Sequence, residues 1–85
     1  MKVSLKRINN AAHFEATNEF GNSISIDGSA EVGGQDLGFR PMQLILAGLG
    51  SCSVMDVIHI LNKQKEPVRH IELDVTGKRA DAIPI

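Results

Sequence analysis

The sequence predicts an α+β fold, in which an antiparallel β-meander is followed by a long apolar helix and then by further strands. Three observations predict it. Short segments within residues 3–26 alternate apolar with polar residues, as half-buried strands do. Residues 42–61 are mostly apolar, and the alternation returns in residues 71–76. The 85 residues contain no internal repeat, so we expect one domain over residues 1–85.

Composition excludes several classes of function. Nine Lys and Arg residues against ten Asp and Glu residues give a net charge of −1, which does not favour binding to phosphate backbones. The aromatic content is 4%, too low for a base-stacking surface. A single cysteine, Cys52, forms no internal disulfide and no multi-cysteine zinc site. Residues 1–7 lack the apolar run of a signal peptide, so we expect a cytoplasmic protein.

The first half is predicted to contain three strands and one long loop. The strands are expected around residues 3–5, 12–16 and 24–26, with turns at residues 9–10, 18–22 and 27–28. Residues 28–40 contain four glycines but not the Lys-Ser/Thr ending of a phosphate-binding P-loop. We expect a flexible or ligand-covering loop.

Pro41 suits the first position of a helix. Gly48 and Gly50 are poor helix-interior residues and mark either a kink or close packing before Ser51. We predict two helical pieces, near residues 41–49 and 51–64. The apolar run is too short for a membrane span, and Asp56 and His59 would be costly in lipid. Pro67 ends the helix.

After Pro67, residues 71–76 predict a fourth strand, residues 77–81 a turn and residues 82–85 the start of another strand. The sequence ends there without a capping element, so we expect the front portion of a larger domain, truncated at its carboxyl terminus. The second helical piece is apolar nearly all round and must be buried on several sides. We therefore predict a homodimer in which the helices of two chains pack together; coverage by further residues of the same chain is the alternative.

Cys52 is the candidate nucleophile. Gly50 and Ser51 before it would place the sulfur in the first turn of the second helical piece, where the helix dipole favours a thiolate. The hydroxyls of Ser51 and Ser53 are expected to hydrogen-bond the sulfur. A lone cysteine on an apolar helix is more often an inert core residue, and that alternative stays open.

Asp56 and His59 follow Cys52 by four and seven residues on one helical stripe. A straight helix spaces Cys52 and His59 about 10 Å apart along its axis, too far to share a metal ion. Asp56 would also oppose ionisation of the thiol. We expect the two residues to pair with each other or with backbone at the dimer interface. His13 and His70 are expected at the surface, as are the Lys and Arg residues.

The segment from Arg40 to Ile58 resembles the central helix region of the OsmC/Ohr family. The Arg-Pro-Met opening and the Cys-Ser-x-x-Asp-Val stretch resemble its YhfA-like branch, and Gly33-Gly34 and residues 75–79 extend the likeness. The resemblance implies two intertwined chains, with long central helices enclosed by curved sheets. It also implies that Cys52 attacks organic hydroperoxides, with a resolving cysteine beyond Ile85 and an external thiol or dithiol as reductant.

The sequence departs in two ways from the residues that activate the thiolate in the family's peroxidases. Peroxidase members carry Asn-Pro-Glu where this chain has Arg40-Pro41-Met42, so the glutamate that holds an arginine beside the thiolate is replaced by Met42. Arg40 does not match that arginine by position. The leading hypothesis is a thiol-dependent peroxidase centred on Cys52, with no cofactor or metal. The alternative is a non-catalytic dimer of the same fold that binds a small apolar or thiol ligand.

Overall fold

The protein is described from a computed structural model, which covers residues 1–67 and 69–78. The chain divides into two units, residues 1–44 and 45–85. The elements run in the order β1 (Val3–Arg7), β2 (Phe14–Asn18), β3 (Ser23–Ile26), a 3₁₀ turn (Ala30–Val32) and α1 (Pro41–Lys63). The α+β class is therefore confirmed, as are the three amino-terminal strands.

The three strands form an antiparallel meander in the order β1-β2-β3. Leu5, Ala16 and Ile24 lie opposite one another across it, so one face is apolar. Ala16 is 6% exposed and is the single buried hydrophobic residue in the described part of the chain. Leu5 and Val3 remain more than 60% exposed on that face. The sheet therefore presents an apolar face that this chain covers only in part.

The predicted turn after β2 is confirmed at Asn18, whose side-chain oxygen accepts hydrogen bonds from the backbone N–H groups of Phe20 and Asn22. Gly21 has φ +86°, a left-handed conformation that favours glycine. Asn9 arranges the preceding connection in the same way, accepting from the N–H groups of Ala11 and His13. Local side-chain acceptors thus set both connections of the meander.

The loop after β3 is held by a buried carboxylate. Asp27 is 1% exposed, and its two oxygens accept hydrogen bonds from the backbone N–H groups of Gly28, Gln35 and Leu37. The backbone of Asp27 also donates to the carbonyl of Phe39, and Phe39 forms a parallel bridge with Ile26. The predicted flexible loop is instead tied to the edge of the sheet at both ends.

These contacts lower the pKa of the Asp27 carboxyl. The hydrogen bond from the Gln35 N–H is the largest cause, and burial opposes it. The N–H groups of Leu37 and Gly28, and the nearby His13, lower the pKa further. The N–H donors therefore outweigh the cost of removing the carboxylate from water.

The helix differs from the sequence prediction in being one element. α1 runs without interruption for 23 residues through Gly48 and Gly50, so the prediction of two pieces is wrong. Each glycine costs a helix about 1 kcal/mol relative to alanine, which its leucine- and methionine-rich neighbours offset. At the start of α1, the backbone N–H of Arg40 donates to the side chain of Gln43, as in one half of a capping box.

Residues 69–78 do not form the predicted fourth strand; they belong to no helix or strand. A strand needs a hydrogen-bonded neighbour, and the described residues supply none here. Two apolar residues of this segment nevertheless pack on the helix, since Leu73 and Val75 both approach α1 at Gly50. Residues 79–85, which include the end of the predicted turn and the predicted last strand, lie outside the described residues.

We predict that Asp27→Asn destabilises the protein and flattens the acid limb of its stability profile. The folded chain keeps this carboxyl ionised to lower pH than the unfolded chain does. Its stabilisation is therefore complete above the usual pKa of 3.8 and disappears as the pH falls through the lower folded-state value. Thermal unfolding measured from about pH 2 to about pH 6, roughly two units on either side of the usual pKa, checks this. Asp36→Asn is the control, because Asp36 is 87% exposed; equal effects of the two substitutions would contradict the assignment.

We predict that alanine at the two helix glycines has different effects. A Cβ at Gly48 meets nothing within 4 Å, so Gly48→Ala should stabilise by about 1 kcal/mol. A Cβ at Gly50 would lie 2.8 Å from Val75 Cγ2 and 3.0 Å from Leu73 Cδ2. Gly50→Ala should therefore gain less, or lose stability, because those side chains must move. Denaturant unfolding of both variants is the measurement, and an equal gain from both would show that residues 73–75 do not pack on α1.

Candidate functional site

Cys52 lies in the interior of α1. It follows Pro41 by eleven residues, which places it about 16 Å along the axis from the start of the helix. The field of a helix terminus falls off within the first turn. The prediction that Cys52 sits at a helix start is therefore wrong, and the amide groups at the amino terminus of α1 do not reach its sulfur.

The serines that flank Cys52 bond to the helix backbone. Ser51 Oγ donates to the carbonyl of Ala47, and Ser53 Oγ donates to the carbonyl of Leu49 at 3.2 Å. Each hydroxyl thus donates its proton to the backbone carbonyl four residues earlier in the helix, a common arrangement for helical serine. The expected hydrogen bonds from these hydroxyls to the sulfur are absent from the described structure.

The thiol itself is free and exposed. It belongs to an exposed strip of α1, here called the open stripe, made up of Met42, Ile45, Leu49, Cys52, Asp56 and Ile60. Successive members are three or four residues apart, so they share one side of the helix. The four hydrophobic members are between 48% and 62% exposed. Cys52 is therefore set in an apolar surface that is open to solvent in this single chain.

The opposite side of α1 is partly covered. Val54 and Ile58 are half-buried there, and Gly50 is buried. A shallow groove of about 300 Å³ lies on this side, lined by Gly50, Ser51 and Val54 from the helix and by Leu73 and Val75 from the following segment, among others. Gly50 and Cys52 are about 200° apart around the helix. The groove and the thiol therefore lie on different sides, and the groove does not form a pocket for the sulfur.

Asp56 and His59 are both exposed. Within the described residues, the ion pairs join Arg40 to Asp36 at 3.5 Å and His70 to Glu72 at 3.0 Å. Asp56 and His59 therefore do not pair with each other, contrary to one of the two arrangements predicted for them. Asp56 is the charged residue one helical turn after Cys52. Leu49 lies three residues before Cys52, and Met55 lies three residues after it.

Arg40 precedes α1 and lies twelve residues before Cys52, about 18 Å along the helix direction. Its guanidinium is paired with Asp36. Among the positions three and four residues from Cys52 on α1, none is a cation. The helix that carries the thiol therefore does not supply it with a positive neighbour.

Two histidines were expected at the surface. His70 is exposed, as expected, whereas His13 is half-buried and its Nε2 atom is buried without a hydrogen-bond partner in the described structure. Sequence analysis also missed Asp27, which it took only as a turn residue. An aspartate directly before a glycine at the end of a strand was the available signal, because such side chains often accept backbone N–H bonds.

The described residues hold no cluster of three or more His, Cys, Asp or Glu suited to a metal ion. α1 is long and apolar enough to cross a membrane by length and composition, with a mean hydropathy of 1.9 and 6% of its apolar window buried. The expectation that its apolar run is too short for a span is therefore wrong. The core helix of a soluble protein passes the same test, so a single helix of this kind is weak evidence for a span.

Comparison with known proteins adds the remaining observations. A family model described as "OsmC-like protein" matches residues 33–83. The protein named "Protein YhfA" of Escherichia coli (strain K12) is 33% identical over 64 residues, which is 75% of this chain and 45% of YhfA. "Protein YhfA" of Shigella flexneri matches with the same values. The chain therefore spans about 45% of the length of these curated relatives.

We predict that Cys52 reacts stoichiometrically with a thiol reagent in the native protein. Its side chain is exposed on the open stripe, so no unfolding is needed for access. Labelling with Ellman's reagent, with and without denaturant, measures this, and Cys52→Ser supplies the background. A requirement for denaturant would show that the thiol is sealed in the folded protein.

Proposed function

The chain belongs to the OsmC-like family, and from that premise we propose that it is a redox protein that reduces organic hydroperoxides with Cys52 as the reacting thiol. Family membership supports a redox or peroxidase role. The observation that carries the choice of residue is the free, exposed sulfur on the long helix of the matched segment. The family's proteins are soluble, so α1 is interpreted as a core helix, and we propose a cytoplasmic location.

The proposed reaction has three steps. The Cys52 thiolate attacks the distal oxygen of a hydroperoxide, the O–O bond breaks, and the alkoxide takes a proton and leaves as an alcohol. Cys52 is thereby oxidised to a sulfenic acid. A thiol then attacks the sulfenic sulfur, releases water and forms a disulfide with Cys52, and a second thiol regenerates Cys52 by exchange. The reductant is therefore a dithiol, or a thiol together with a resolving cysteine.

The surroundings of the thiol favour an organic peroxide over hydrogen peroxide. Leu49 lies one turn before Cys52 on the open stripe and is 62% exposed. An alkyl or aryl group beside it buries apolar surface at about 25 cal/mol per Å². Hydrogen peroxide has no such group. We therefore propose that the apolar part of the substrate rests on the open stripe.

The helix that carries Cys52 places no cation within one turn of the sulfur. Asp56 is one turn away and repels an anion, and Arg40 is distant and paired with Asp36. We propose that the missing cation comes from a second copy of the chain packed on the open stripe. A homodimer would also cover the hydrophobic residues towards the ends of the stripe, Met42, Ile45 and Ile60, while the sulfur stays accessible to peroxide.

One observation favours the alternative function. The family's peroxidases use a glutamate where this chain has Met42, and no cation is adjacent to Cys52 on its own helix. Both features suit a non-catalytic dimer that binds a small apolar or thiol ligand, because such a protein has no thiolate to stabilise. Peroxide consumption distinguishes the two functions, because the peroxidase consumes peroxide and the ligand-binding dimer does not.

We predict that the purified full-length protein consumes cumene hydroperoxide in the presence of a dithiol, and that Cys52→Ser lowers the rate to that of dithiol alone. The nucleophile is removed while side-chain volume barely changes. Peroxide loss is followed by a ferric–xylenol orange assay. In single turnover without dithiol, the mass of the wild-type protein should rise by one oxygen atom, or fall by two hydrogen atoms where a resolving cysteine condenses with the sulfenic acid.

The matched control is Ser53→Ala, which removes a hydroxyl bonded to the Leu49 carbonyl and leaves the thiol in place. It should retain the wild-type rate, and circular dichroism of both variants establishes that they are folded. Equal rates for wild type and Cys52→Ser would eliminate the peroxidase and leave the ligand-binding dimer.

We predict that Ile45→Glu converts the dimer to monomer. A carboxylate in the open stripe would be buried without a partner, at a cost of several kcal/mol. Asn62→Glu is the control, because Asn62 is exposed on another side of α1. Light scattering after size exclusion gives the mass. A monomeric wild-type protein, or a dimer that survives Ile45→Glu, would exclude the proposed interface.

A further inference from the structure

We draw no further inference here: the strongest candidate, the open stripe of α1 with Cys52 at its middle, is an apolar face for which nothing in the described part of the chain shows what covers it, and a second copy upon it restates the dimer already proposed.

Discussion

The central physical constraint is that this chain exposes most of the apolar surface it carries. A soluble helix that is apolar all round needs cover on several sides, yet α1 has one partly covered side and an open stripe on the other. The sheet has the same property, since Ala16 is its only buried hydrophobic residue. Hydrophobic burial is the dominant favourable term in folding, and the described residues supply little of it by themselves.

Polar contacts organise the first unit where apolar burial is scarce. Asp27 places one carboxylate at the point where three backbone N–H groups of the following loop converge. A buried carboxylate is costly unless it is hydrogen-bonded, and these donors meet that requirement. Gly34 fits the same loop because a Cβ there would lie 1.7 Å from the carbonyl oxygen of Gly28. The loop is therefore a structural connection that leads from the sheet edge to Phe39.

The sequence allowed prediction of elements whose evidence is local. Alternation identified the three strands, and Pro41 and Pro67 bracketed the helix. Prediction from the sequence failed where a contact between residues far apart in the chain decides the structure. Gly50 was interpreted as marking a kink or close packing; the kink is wrong, whereas Leu73 and Val75 do approach the helix at Gly50. The fourth strand was predicted from alternation alone, which cannot show whether a neighbouring strand exists.

At the candidate site, too, the sequence identified a residue but did not reveal the surroundings of that residue. Cys52 was identified by its position after Pro41, whereas its activation was argued from a helix start that does not exist. With α1 continuous, the amino terminus of the helix lies too far from Cys52 for its dipole to act on the sulfur. In the proposed dimer, the cation comes from outside this helix, from the copy packed on the open stripe. In that proposal reactivity and assembly are one question, because the surface that lacks cover in the single chain is also the surface on which the sulfur lies.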